Sequence, residues 1–84
     1  MLFRSKNARE ESANAIELLR TKQNDASIAL QTIRSFASQI VNGMNYRFEL
    51  DVTTASGPRT ITLVMYENGD PDHVHREIGS VTGL

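Results

Sequence analysis

Eighty-four residues set the scale of one small domain, spanning 1–84, which on folding covers only about 60–65 % of the surface its unfolded chain exposes. With no cysteine there is no disulfide framework, no thiolate metal site and no cysteine nucleophile, and the redox compartment is left open. Nine basic and ten acidic residues, well mixed along the chain, give a formal charge of −1, so charge offers no reason to expect nucleic acid or an anionic membrane as partner.

In chain order, Met1 to Ser5 is a short apolar segment without amphipathic period, an edge strand or a loose tail. From about Asn7 to Gln23 the composition turns to Ala, Glu, Leu, Arg and Lys without Gly or Pro, and Ala8, Ser12, Ala15, Ile16 and Leu19 recur at helical spacings. One amphipathic helix of about four turns is expected, capped by Ser5 or Asn7 and ended by the polar run Lys22-Gln23-Asn24-Asp25. Ser27 to Val41 reads as a long strand whose alternation slips. Ile28 and Leu30 share a parity that Ile33 and Ala37 do not, which requires one bulge between about Gln31 and Ile33.

Asn42-Gly43 is the preferred dipeptide of a two-residue hairpin turn with positive φ at both positions. Beyond it Tyr46, Phe48, Leu50 and Val52 alternate with Arg47, Glu49 and Asp51, the pattern of a strand with one buried and one wet face. Counting outward from a two-residue turn sets Val41 opposite Met44, Ala37 and Ser35 opposite Phe48 and Leu50, Ile33 opposite Val52 and Arg34 opposite Asp51. A turn at Ser56-Gly57-Pro58 leads to a third strand, Thr60 to Tyr66. A second turn signal, Asn68 to Asp72, leads to a weaker, polar edge strand from His73 to Val81. The fold class is α+β: an antiparallel meander of about four strands, with Met1 to Ser5 as a candidate short N-terminal strand, wrapped around one helix.

Gln39-Ile40-Val41-Asn42-Gly43 resembles the Gln-x-Val-x-Gly signature of the cystatins, inhibitors of papain-like cysteine proteases, and Asn45-Tyr46 resembles its usual continuation. Ala29-Leu30-Gln31 is similar to the Ala-Leu-Gln that leads into that hairpin. With its short chain and no cysteine the sequence resembles the stefins, the single-domain cystatins, more than the disulfide-bonded secreted group. What the resemblance implies is a reversible, competitive inhibitor that inserts the first hairpin, Gln39, Ile40, Val41, Asn42 and Gly43, as a wedge into the protease cleft. The second turn, Asn68, Gly69, Asp70 and Pro71, and the N-terminal Leu2 and Phe3 would flank it. It implies no catalytic residue, no cofactor and no metal. The expected species is a monomer, with a dimer that exchanges helix and first strand as the alternative.

The chain departs from the family in having no tryptophan in its second hairpin and no glycine before Gly43. An aromatic anchor is a common hot spot, so its absence implies weaker binding or another target. It also keeps open a cystatin-fold interaction module without inhibitory activity. Gly43→Glu is expected to weaken binding far more than stability. Asn24-Asp25 lies where some cystatins carry an asparagine that inhibits legumain, although Gln23 replaces the usual serine there and a helix-ending turn explains the pair as well.

Other chemistry finds little support. His73 and His75 would share one side of a strand and could with Asp70 or Asp72 hold a metal, but two solvated histidines need no ligand. Glu10 and Glu11 diverge on a helix and read as a solvated face near its positive end rather than a paired acid and base. No phosphate loop, nucleophile elbow or zinc-protease motif occurs, so an enzyme is not expected. No apolar run approaches the roughly 20 residues of a membrane span and no secretory signal is present. The expected compartment is the cytoplasm, with secretion and a leader absent from this chain as the alternative.

Overall fold

The computed structural model describes residues 8–70 and 72–84. Its elements are one helix, α1 (Ala8–Gln23), and four strands, β1 (Ala29–Val41), β2 (Gly43–Thr54), β3 (Gly57–Glu67) and β4 (Arg76–Thr82). The strands form one antiparallel sheet in the order β1-β2-β3-β4, so the fold is α+β, as expected. The cap residues Ser5 and Asn7 and the candidate N-terminal strand lie outside the described residues.

The helix ends where its sequence says it should. Asn24 takes a left-handed conformation with φ of 53°, its N–H donates to Thr21 O at 3.2 Å, and the Asp25 N–H reaches Arg20 O at 2.9 Å. That pair of bonds is a Schellman cap, with asparagine in the position where a Cβ is least tolerated. Asp25 then accepts from the Ser27 hydroxyl and N–H, which hold its carboxyl below the usual carboxylate range. Arg20 Nε donates to Ile28 O at 2.7 Å and so ties the helix to the start of β1.

Ala15, Ile16 and Leu19 of α1 bury against Ile28, against Tyr46, Phe48, Leu50 and Val52 of β2, and against Ile61, Leu63 and Met65 of β3. The alternation of β2 thus does what the sequence implies. The hairpin register differs from the expected one by one residue from Val41 to Ser35 and by two at Ile33. Val41 pairs with Gly43, leaving Asn42 alone at the apex, and Gly43 has φ of +125° while Asn42 has no positive φ. The turn is therefore tighter than the two-residue form expected of Asn-Gly. Phe48 faces Phe36 rather than Ala37, and Leu50 faces Ile33 rather than Ser35.

The physical reason is burial. The observed register turns Phe36 toward the core, its ring centroid 5.8 Å from that of Tyr46 and 5.3 Å from that of Phe48. Covering a Phe side chain in place of an alanine is worth on the order of 1–2 kcal/mol. Two register shifts, at Gln31 and at Arg34, keep Leu30, Ile33 and Phe36 on one face, where one bulge was expected. Arg34 still reaches Asp51, Nε to Oδ1 at 2.7 Å, from within its bulge. Asp51 is held below the usual carboxylate range by Arg34 first and by the Thr60 hydroxyl second.

Three smaller expectations are also corrected. The β2–β3 turn sits at Ala55-Ser56, with Gly57 and Pro58 already in β3, because the Thr54 side chain bonds Ser56 N and Gly57 O and closes it there. β4 begins at Arg76, so His73 and His75 lie in the preceding loop. Glu11 is not on a solvated face. It is 1 % exposed, one helical turn before Ala15 on the core side of α1.

Candidate functional site

The meander brings two chain reversals to the same end of the sheet. The first is the tip Ile40 to Met44, and the second is the loop from Asn68 to His75 between β3 and β4. They touch: a Cβ built on Gly69 would stand 3.7 Å from Gly43 Cα and 3.9 Å from Gly43 N. Ile40, Val41, Asn42 and Gly43 lie in the first reversal, with Gln39 just before it in β1, and Asn68, Gly69 and Asp70 in the second, the two meeting at Gly43 and Gly69. Pro71, Leu2 and Phe3 lie outside the described residues.

The first tip is apolar and open. Ile40 is 74 % and Val41 43 % exposed, although apolar side chains normally gain by being covered. The tip is also braced, since the Tyr66 hydroxyl of β3 donates to the carbonyl of Asn42. Gly43 lies close against that brace: a Cβ there would be 2.5 Å from Glu67 O and 2.7 Å from Tyr66 Oη. Only glycine combines this φ with this approach.

The second loop is tied internally by the side chains of Asn68 and Asp70. Asn68 donates from Nδ2 to His73 O at 2.7 Å and accepts at Oδ1 from the His75 N–H at 2.9 Å, while its own N–H donates to His75 O at 3.0 Å. Asp70 accepts from the Asp72 N–H at 2.9 Å. His73 Nδ1 lies 3.3 Å from Asp70 Oδ2, and His75 Nε2 lies 3.3 Å from Glu77 Oε1. The two imidazoles therefore turn to different carboxylates instead of converging. Val74 between them is 51 % exposed, a residue at this end that the sequence pattern did not single out. Its one signal was an apolar side chain alone in a polar loop.

Behind the tips lies a buried polar cluster. Glu67, the last residue of β3 and 6 % exposed, accepts the Tyr46 hydroxyl at 3.2 Å and lies 2.9 Å from Arg76 Nε, whose distance to Glu11 is 3.9 Å. Glu67 keeps the parity of Ile61, Leu63 and Met65, so the alternation of β3 marks it as inward. A scan for apolar periodicity alone passes over it.

Tyr46 is fully buried, and its phenol is raised above the usual tyrosine value by burial first and by the charges of Glu67 and Glu11 next. A raised value favours the neutral phenol in the fold. That contribution is fully present below about 10, the unfolded value, and is lost as pH rises from there toward the folded one. We expect one of the two tyrosines to ionise only together with unfolding when tyrosinate absorbance and circular dichroism are followed in parallel. Both phenols ionising near their ordinary value with the fold intact would contradict this.

No family model matches the chain, and no curated protein or solved structure matches it either.

Proposed function

We propose that the chain is a reversible, competitive inhibitor of papain-like cysteine proteases, with the β1–β2 tip seated as a wedge in the active-site cleft and the β3–β4 loop beside it. The observation that supports this reading is the exposure of Ile40 and Val41 on a tip braced by Tyr66. It falls at the stretch where the resemblance to cystatins is most specific.

A braced apolar tip has little freedom left to lose on binding, so more of its contact free energy appears as affinity. Each of Ile40 and Val41 would contribute on the order of 1.5–3 kcal/mol if fully covered by the cleft. Val74 would add apolar area on the second loop, where cystatins carry tryptophan. Inhibition of this kind needs no cofactor and no reacting group, because the wedge offers the protease a surface and no bond to cleave.

The test is a titration of papain with this protein, read by hydrolysis of a fluorogenic peptide, with Ile40→Asp alongside. Wild type is expected to inhibit, and the variant to lose roughly a hundredfold in affinity, the equivalent of about 2.7 kcal/mol. Its melting temperature should be nearly unchanged, because the position is open to solvent. Equal inhibition by both proteins would sink the wedge assignment. A folded chain that leaves papain untouched would favour the second reading, a cystatin-fold interaction module without inhibitory activity, toward which the missing tryptophan points.

A further inference from the structure

We propose that the outer edge of β1 from Ser35 to Val41 pairs antiparallel with the same segment of a second copy of this chain, about a two-fold axis at Ser38. Among the described residues the sheet is open, with β1 and β4 as its edges. An edge strand offers unpaired backbone groups to any other strand, and proteins ordinarily blunt it with charge, proline, bulges or shortness. β4 is blunted in three of these ways, being short, carrying Arg76 and Glu77, and shifting register beside Val64. β1 is blunted only in its first half, where its two register shifts and its single charge, Arg34, are found.

From Ser35 to Val41 the register is unbroken, with no charged residue and no proline. The next charge after Arg34 is Arg47. This composition suits a copy of itself, because a two-fold antiparallel seam sets the same few residues against one another and any charge near the axis would meet its own kind.

The side chains select the register. An axis at Ser38 sets Ala37 opposite Gln39 and Phe36 opposite Ile40. Phe36 and Ile40 share the core-facing parity of β1, Phe36 is half-buried, and Ile40 is 74 % exposed. The seam therefore covers the most exposed large apolar side chain among the described residues with an aromatic ring, and symmetry does so twice. Moving the axis to Ala37 would set Arg34 against Ile40 and Phe36 against Ser38, losing both apolar pairs. A seam of this length is small, so association is reversible and concentration-dependent. The seam and the wedge both use Ile40, so the dimer would hide the tip that the inhibitory reading needs and only the monomer would carry it.

Sedimentation velocity over a concentration series tests it, with Ser38→Lys, Ser38→Asp and an equimolar mixture of the two. Ser38 is exposed, so both variants should fold, which circular dichroism checks. Wild type is expected to rise from the 9.4 kDa monomer toward twice that mass and to revert on dilution. Each variant alone should remain monomeric, and the mixture should regain the dimer, since lysine then meets aspartate across the axis. A wild type monomeric up to millimolar concentration would overturn the proposal. So would a dimer indifferent to Ser38→Lys, or one that persists on dilution as an exchange of helix and strand would.

Discussion

Replacing Arg76 by methionine is expected to cost the fold about 3 kcal/mol, the low end of what is observed when one partner of a buried ion pair is removed, because the Arg76 side chain keeps 31 % exposure. In a domain of this size that is a fall in melting temperature of more than about 10 °C. Glu67 is 6 % exposed, and the guanidinium that pairs with it, at 2.9 Å, stands on the neighbouring edge strand. Methionine keeps the length and apolar stem of the side chain but leaves the Glu67 carboxylate buried against the Tyr46 hydroxyl without that charge. The lost attraction is the smaller part of the effect; the uncompensated desolvation of the carboxylate is the larger.

Two controls make the prediction specific. Glu67→Gln in the Arg76→Met background should recover a large part of the loss, because the amide is neutral and still accepts the phenol. Arg34→Met should cost far less, since Arg34 and Asp51 pair on the open face of the sheet, where water screens them. Thermal unfolding followed by circular dichroism reads all three. An Arg76→Met protein that melts like Arg34→Met would show that the cluster is not held by charge.

How far such features can be read beforehand depends on how local they are. The burial of Tyr46, Phe48, Leu50 and Val52 follows from alternation within one strand, and the helix end at Asn24 follows from polar residues that cap in place. The Arg34–Asp51 pair was legible as well, because the long arginine side chain still reaches Asp51 although Asp51 stands opposite Thr32, two residues away. Register itself was not legible. Asn42-Gly43 favours a two-residue turn locally, yet the covering of Phe36 by Tyr46 and Phe48 outweighs that preference. Core packing of residues ten and twelve apart in the chain decides which way the edge strand faces.

The candidate site divides in the same way. Ile40 and Val41 as an apolar tip are visible in the local sequence, but the contact of Gly43 with Gly69 depends on the whole meander. Glu11 and Glu67 sit on core faces by period alone, and their charge masks them from a search for apolar residues. Arg76, which answers Glu67, lies on a strand whose start the sequence placed three residues too early, at His73.

Gly43→Ala is expected to destabilise the protein by more than about 2 kcal/mol, a fall in melting temperature of roughly 8 °C or more. Strain arises first from the backbone. At φ of +125° an L-residue is held in a sparsely populated region, at a cost of order 1–3 kcal/mol. Overlap adds to it, because the new methyl would stand 2.5 Å from Glu67 O, a backbone oxygen that cannot swing aside. Gly57 separates the two contributions. It has φ of +113° but nothing within 4 Å of a built Cβ, so Gly57→Ala carries the strain without the overlap and should lose less. Gly43→Glu then cannot divide binding from stability as the hairpin sequence alone suggests, for it strikes the brace that holds the tip. Its loss of inhibition and its loss of melting temperature should appear together, whereas Ile40→Asp should show the first without the second. Equal melting losses for Gly43→Ala and Gly57→Ala would remove the close approach from this account and leave only the φ.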